Sequence, residues 1–423
     1  MLLRIDDVRR DFGLLWAGQS LSLFGDQFMK LALPLVAVTA LDVSPAQAAL
    51  LPFALFLPFL PLGLPAGAIV DRLPRRTVML VCDGVQIAAF GAVWGLLATG
   101  ALTFPLLLGL VLVSGCAVVF FQVAYSSYLP SLIRDRERLH SGNARLALSE
   151  SVSNTVGPMA AGPLIQALGV AGAVAANVLS FAASVLSLAL IRHREPVRQA
   201  PARERGWLRR DIVEGLRFVA GHPLLEPIIA CGTSYVLFLS MLETSLVLYC
   251  RDVLGLSPQW IGVVLGAAAA GHPIGTLASA RLVRRFGAPR TLVGAAVVSV
   301  AGIVSMPVLG TTVGAAGLVA ASILHCVGEG AFNPTSLTLR HTAAPAALLG
   351  RVGAVHRFLI WGAVAVGALL SAAATALAGL SAAVWIGALG TALCLPALVR
   401  RGVRAAAFGR RGAMSLCDGL PAE

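Results

Sequence analysis

Residues 47–70 read QAALLPFALFLPFLPLGLPAGAIV, and residues 71–76 that follow read DRLPRR. The first stretch carries no charge and is long enough to cross a bilayer, which takes roughly 20 mostly apolar residues in a helix. The second is a basic cluster of the kind that holds a short loop on one side of a membrane. The same alternation runs through the chain. Apolar runs fall at 12–41, 47–70, 77–99, 104–129, 145–169 and 171–191, then at 224–250, 258–282, 291–311, 314–339, 352–379 and 381–399. Open backbone has no hydrogen-bond partner in lipid, so runs of this kind are helices, and their Gly and Pro residues are tolerated where neighbouring helices pack around them. The expectation is an all-α membrane protein with twelve transmembrane helices in two six-helix, pseudo-symmetric bundles.

Composition agrees. The 423 residues are 57% hydrophobic and 12% charged, against about 45–50% and 25% in soluble domains. That apolar content fills about twelve spans of roughly 20 residues. The net charge of +12 would suit nucleic acid in a soluble chain. Here the arginines sit in short clusters between apolar runs, and nucleic acid is not expected as a partner. Seven cysteines, mostly inside apolar runs, show no C-x-x-C spacing, so neither a disulfide framework nor a metal site is expected. The run from Phe12 lacks a short apolar region with a small-residue cleavage site, and reads as a retained first span.

With the N-terminus in the cytoplasm, every one of the 32 basic residues except Lys30 and Arg251 falls on the cytoplasmic side. Both termini are then cytoplasmic. The domain expectation is an N-terminal bundle at 1–191, a linker at 192–223, a C-terminal bundle at 224–399 and a basic tail at 400–423. Within the linker, Trp207, Leu208, Ile212, Leu216 and Val219 recur at helical spacing, while Arg209, Arg210, Glu214 and Arg217 occupy other faces. That pattern suits a short helix on an anionic membrane surface.

The two halves repeat weakly. Gln122-Val-Ala-Tyr125-Ser126 aligns with Glu329-Gly-Ala-Phe-Asn333, and Arg75-Arg76-Thr-Val78 with Pro289-Arg290-Thr-Leu292. Parallel repeats of this kind mark transporters. Between the second and third runs stands Gly67-Ala-Ile-Val-Asp71-Arg72-Leu-Pro-Arg75-Arg76. It resembles the G-x-x-x-D-R-x-G-R-R/K loop of the major facilitator superfamily, with Pro74 in place of the family's glycine. The glycine would permit close helix crossing, Asp71 would accept hydrogen bonds at a facing helix N-terminus, and the arginines would pair with carboxylates of other helices. The second half keeps basic residues between Gly275 and Arg290 and lacks the aspartate. Gly157-Pro158-Met-Ala-Ala-Gly162 resembles the G-P-x-x-G-G element of antiporters in the superfamily, with Ala161 in place of the first glycine of the pair. Its small residues serve equally for plain helix packing. Tyr128-Leu-Pro-Ser-Leu, Glu137-Arg-Leu-His-Ser-Gly-Asn143-Ala-Arg145 and Asp211-Ile-Val-Glu-Gly-Leu-Arg-Phe resemble the subgroup that holds macrolide-efflux and siderophore-export proteins.

Ionisable groups inside spans are costly and therefore candidates for function. Asp26 and Lys30 lie one turn apart in the first run, Glu243 in the seventh and Glu329 in the tenth, near Asn333-Pro334. Spans one, four, seven and ten line the cavity in the resembled fold. Asp26, Lys30, Glu243, His325, Glu329 and Asn333, with Gln122 and Tyr125 as uncharged ligands, are thus expected at a proton-coupling or substrate site. Burial favours the neutral form of a carboxylic acid, as proton carriage requires. Glu329 is read as having no basic residue within four positions of its own span and is the expected carrier, whereas Lys30 is expected to neutralise Asp26. His272 and His325 are either titrating groups or packing residues. Asp83 and Glu150 lie at depths suited to gate salt bridges with Arg145 or loop arginines.

The resemblance implies a secondary active exporter of an amphiphilic small molecule, a drug, macrolide-like compound or siderophore. It would be coupled to protons, work as a monomer in a bacterial cytoplasmic membrane and confer drug resistance; an importer of a nutrient or siderophore is the alternative. No cofactor is expected. An ATP-driven pump needs the P-loop lysine, and the single lysine, Lys30, lies inside a span. Neither G-x-S-x-G nor H-E-x-x-H occurs, which argues against an intramembrane enzyme.

Overall fold

The computed structural model describes residues 5–70, 72–133, 135–193, 207–345 and 348–398. Asp71, most of the first part of the linker and the basic tail lie outside the described residues. Among the described residues there is no strand. The first half holds α1 (Ile5–Leu35, ending in a π-helical turn, Val36–Ala40), α2 in three stretches (Pro45–Ala48, Leu50–Phe56 and Phe59–Val70), α3 (Arg75–Ala98) and α4 (Phe104–Leu132). One helical run, Arg136–Leu190, forms α5 before Gly169 and α6 after it. A linker helix, α7 (Trp207–Gly221), leads to α8 (Leu225–Asp252), α9 in two stretches (Pro258–Ala269 and Gly271–Phe286), α10 (Ala288–Thr312), α11 (Ala315–Ala343), α12 (Leu349–Ala378) and α13 (Leu380–Thr391).

Eleven of these segments are long and apolar enough to cross a membrane, and one of them, Ser141–Leu190, has 50 residues. At 1.5 Å per residue such a rod would run roughly 75 Å, against a hydrocarbon core of about 30 Å. It breaks at Gly169, whose φ of 69° and ψ of 178° are not helical, a backbone geometry that glycine adopts without strain. The segment therefore supplies two crossings, and the total is twelve. Large apolar side chains stand outward on these helices, among them Leu377 (88% exposed), Leu277 (74%) and Leu179 (69%). In water that surface would be unfavourable; in a bilayer it faces lipid.

Small residues set the packing inside each bundle. In α1, a Cβ at Gly25 would run into Ser180 and Asn177 of α6, and one at Gly157 of α5 would lie 2.6 Å from Cβ of Gln27. At the end of α6, Arg76 donates from Nε to the carbonyl of Leu188 (2.7 Å) and from Nη2 to that of Ala189 (2.7 Å). Asp11, only 1% exposed, accepts the backbone N–H groups of Arg192 (3.3 Å) and His193 (2.9 Å). These four contacts satisfy carbonyls and amides that a helix end leaves open. The helix α7 forms as the spacing predicts. Its Val219 is buried with Leu225, Ile229, Val352 and Val355, and Glu214 pairs with Arg351 at 2.5 Å. One face of α7 is thus docked on α8 and α12, where the sequence reading had placed a membrane surface.

The two bundles share their largest core at one end and also meet along α2 and α12, where Trp361 stacks on Phe56 and Phe59 with ring centroids 5.5 and 4.8 Å apart. The shared core joins Met29 through Ala37, Leu51, Ala161 and Ile165 of the first half to Leu246, Tyr249, Ile261 and Val264 of the second. At the opposite end, where α7 lies, the cores are separate. One contains Phe12, Leu15, Met79 and Tyr128 of the first half alone; two others contain Ile228, Leu292 and Leu398, and Val219, Leu225 and Val352, of the second. On the α7 side of the shared core the two halves keep separate cores apart from the α2–α12 contact, and we take the space between them as the candidate cavity.

Candidate functional site: a charged cavity between the bundles

Local chain geometry aims the central groups. In α8, Met241, Leu242 and Thr244 through Cys250 are all buried, and Glu243 alone among them is exposed. On α1, Asp26 and Lys30 are likewise exposed between buried neighbours. Lys30 acts electrostatically on Asp26 of its own bundle and on Glu243 of the other, and Glu243 also feels Glu329 and His272. Four helices from both halves, α1, α8, α9 and α11, therefore turn charge toward the same space.

Glu329 has the most elaborate support. It stands between two glycines. A Cβ at Gly328 would meet the backbone of Ser299 in α10, and one at Gly330 would meet the backbone of His272 in α9. Close approach on both sides wedges Glu329 between these helices. Pro334 has no N–H, which leaves the carbonyl of Gly330 without its helical partner. Thr276 of α9 donates to that carbonyl at 3.0 Å. Pro273 acts the same way on α9, whose two stretches part at Ala270, beside His272. As a result, Nε2 of His272 lies 3.4 Å and Nε2 of His325 lies 3.6 Å from the same Glu329 oxygen, Oε2. Asn333 approaches Oε1 at 3.5 Å. Behind His325, which is 5% exposed, Nδ1 lies 2.9 Å from Ser299 Oγ and 3.0 Å from Tyr235 Oη, themselves 2.6 Å apart. This triangle fixes the imidazole and turns Nε2 toward Glu329. The thiol of Cys326 completes the group: one ligand atom each from His272, Cys326 and Glu329 lie within 4.8 Å of one another.

Several expectations need correction. Asp26 and Lys30 make no direct ion pair within 4 Å among the described residues, yet Lys30 acts electrostatically on Asp26 as expected, and both are exposed. Glu329 does have a basic neighbour one turn away, His325, and a second on α9. Three side chains able to hold a metal ion, His272, Cys326 and Glu329, are brought together by the fold, though no linear spacing marks them. Asp83 is 1% exposed and accepts a 2.6 Å hydrogen bond from Ser184 of α6, with no ion pair to an arginine among the described residues. Arg145 and Glu150 are exposed and share no described ion pair. A Cβ at Gly67 would meet nothing within 4 Å, so the close crossing of α2 falls elsewhere, where Gly115 of α4 abuts the backbone of Leu55. Arg76 binds helix carbonyls in place of a carboxylate, and Arg72 is exposed. Gln122 is exposed, and Tyr125 stacks on Phe121 with centroids 6.1 Å apart.

Pro158 and Gly162 lie on a seam with α9 that sequence reading reached only from one side, whereas Gly157 packs on Gln27 of α1. A Cβ at Gly162 would lie 2.5 Å from the carbonyl oxygen of Pro258, and the facing glycines of α9, Gly262 and Gly266, abut the carbonyls of Pro158 and Thr155. Reading missed Tyr235, Ser299 and Cys326. Cys326 could have been found from its place three residues before Glu329 on one helix face. Nothing linear ties Tyr235 or Ser299 to His325.

Two six-helix bundles that turn charged side chains of both halves toward each other have the architecture of a polytopic membrane transporter. The chain belongs to the Major Facilitator Superfamily, whose family model matches residues 15–365. Among relatives, it is 25% identical over 261 residues to the MFS-type transporter YfiS of Bacillus subtilis, covering 61% of this chain and 60% of that one. It is 23% identical over 271 residues to macrolide efflux protein A of Streptococcus pyogenes, covering 63% and 65%. The matched stretch thus spans less than two thirds of either relative. Among solved structures, a bacterial homologue of the iron transporter ferroportin in an inward-facing state superposes with a TM-score of 0.74 at 19% identity, over 92% of this chain and 98% of that one. The nucleoside transporter NupG gives 0.74 at 12% identity over the same shares. Both share the fold.

Proposed function

We propose that this protein exports an amphiphilic small molecule from the bacterial cytoplasm in exchange for protons, as a monomer, with its termini and linker on the cytoplasmic side. The observation that carries the reading is the set of carboxylates, Asp26, Glu243 and Glu329, that both bundles present to one cavity. Exchange requires a group that binds either a proton or a substrate, and a carboxylate on a moving bundle meets that need. Lys30 reaches across to both bundles. The Phe121–Tyr125 stack beside exposed Gln122 gives an apolar wall with a polar edge, which suits an amphiphile.

The arginine distribution supports the orientation, and the similarity to macrolide efflux protein A supports the direction. With the α7 end cytoplasmic, the cavity is open inward. Consistent with this, the outward-facing structure of a bacterial ferroportin homologue superposes less well, at a TM-score of 0.59. Asp71, in the superfamily-like loop, would hold the opposite state by docking a helix end.

Substrate transport in proteoliposomes, with and without an imposed pH gradient, tests the proposal, using a radiolabelled macrolide and then a panel of amphiphilic toxins. Glu329→Gln should abolish gradient-driven accumulation and leave downhill exchange. A full response to the gradient in that variant moves the coupling to Asp26 or Glu243, and uptake into cells rather than extrusion makes the protein an importer.

A further inference from the structure

We propose that the cluster on α9 and α11 is a binding site for a divalent transition-metal cation of the borderline class, such as zinc or cobalt, with His272, Cys326 and Glu329 as its ligands. Imidazole nitrogen, thiolate sulfur and carboxylate oxygen are the donors such ions take in tetrahedral sites. The spacing fits. Two ligands at about 2.0–2.1 Å from a shared tetrahedral ion stand about 3.4 Å apart, and His272 Nε2 lies 3.4 Å from Glu329 Oε2. That separation exceeds the range of about 2.7–3.2 Å for an N–H···O hydrogen bond. The separation suits two co-ligands of one ion. Cys326 lies within the same 4.8 Å sphere.

The surroundings favour a metal as well. A ligating histidine commonly has its second nitrogen fixed by an outer hydrogen bond. His325, whose Nε2 stands 3.6 Å from the same Glu329 oxygen, has this support from Ser299 and Tyr235. It offers a fourth donor or holds Glu329 in place. His272 and Glu329 remain partly accessible from the cavity, with side chains 40% and 24% exposed. An ion therefore has a path in, and three protein ligands leave a coordination position open for water or for a ligand on a substrate. Binding replaces the Cys326 S–H bond with an S–metal bond and releases that proton to solvent. The site rests on the cavity described above, and it requires no particular organic substrate.

The test uses the purified full-length chain in detergent, titrated with Co²⁺. Tetrahedral Co²⁺ shows visible d–d bands, and a thiolate ligand adds a near-ultraviolet charge-transfer band. Wild type should bind one ion with both signatures. Cys326→Ser should lose the charge-transfer band and keep weaker d–d absorption. His272→Asn alters a half-exposed side chain with little effect on folding, and should weaken binding on the order of 100-fold, at or above the upper end of second-shell effects. Excess Zn²⁺ should displace the cobalt. Absence of the spectrum in wild type overturns the proposal. So does a spectrum that survives unchanged in both variants, which would place the ion on other cysteines. Macrolide transport, assayed in metal-free buffer, is read separately. Export without cobalt binding removes only this inference, and cobalt binding without export removes only the proposed amphiphile.

Discussion

Replacing Gly162 with alanine should shift the balance between the two transport states. The added Cβ would lie 2.5 Å from the carbonyl oxygen of Pro258 and 2.7 Å from Cα of Gln259. Both neighbours are backbone atoms, so no side-chain rotation relieves the clash and α5 and α9 must part. Overpacking of this kind costs about 1–3 kcal/mol. On an alternating-access reading of the export proposed above, this seam is closed in the state described and open in the other. The penalty therefore falls on one state alone, and the ratio of states should move about 5- to 150-fold toward the open seam. Spin labels at Thr103 and Val313, exposed positions on loops at the shared-core end of the two bundles, report the separation by pulsed electron resonance. The long-distance population should grow in Gly162→Ala. Gly95→Ala is the control, because a Cβ there meets nothing within 4 Å. An unchanged distance distribution with unchanged melting would refute the idea that this seam governs the exchange of states.

Arg76→Ala should lower thermal stability in detergent by about 1–3 kcal/mol, the usual worth of hydrogen bonds from a charged donor, because it frees the Leu188 and Ala189 carbonyls. Arg76→Lys should recover only part, since an ammonium lacks the fork that reaches both; equal melting of Arg76→Ala and wild type would remove the clamp from the account. At the start of α8, Nδ1 of His222 accepts the backbone N–H groups of Leu224 (3.2 Å) and Leu225 (3.3 Å). Burial holds the pKa of His222 below its usual 6.5. The neutral ring's contribution is therefore fully present above about pH 6.5 and is lost as pH falls through the lowered folded-state value. Exchange protection at Leu224 and Leu225, corrected for intrinsic rates, should drop in mild acid, and His222→Ala should show low protection at every pH.

Much of the fold was legible because each crossing has a local cause. The uncharged stretch 47–70 and the basic residues after it need no tertiary knowledge, and the boundary read between 169 and 171 coincides with the positive φ of Gly169. The cavity carboxylates were also legible, since the cost of a charge in an apolar run marks it wherever it points. Partners were not. Depth along a helix says nothing about azimuth, so the hydrogen-bond partner of Asp83, Ser184, 101 positions away, was not visible in the sequence. Asp26 and Lys30 share a face by helical spacing, yet both are exposed and make no direct ion pair among the described residues.

The central site shows why such partnerships escape a linear reading. His272 and Glu329 are brought to 3.4 Å by residues that carry no chemistry. Gly330 lets the α9 backbone approach, Pro273 interrupts α9 at the level of His272, and Pro334 exposes the carbonyl that Thr276 then occupies. Each of these four residues has an ordinary reading alone, as a packing glycine, a kink or a solvated hydroxyl. Together they fix the height and rotation of one helix against another to within the tolerance of a ligand bond. In this bundle, small residues and helix breakers set the geometry, and the ionisable side chains act through it.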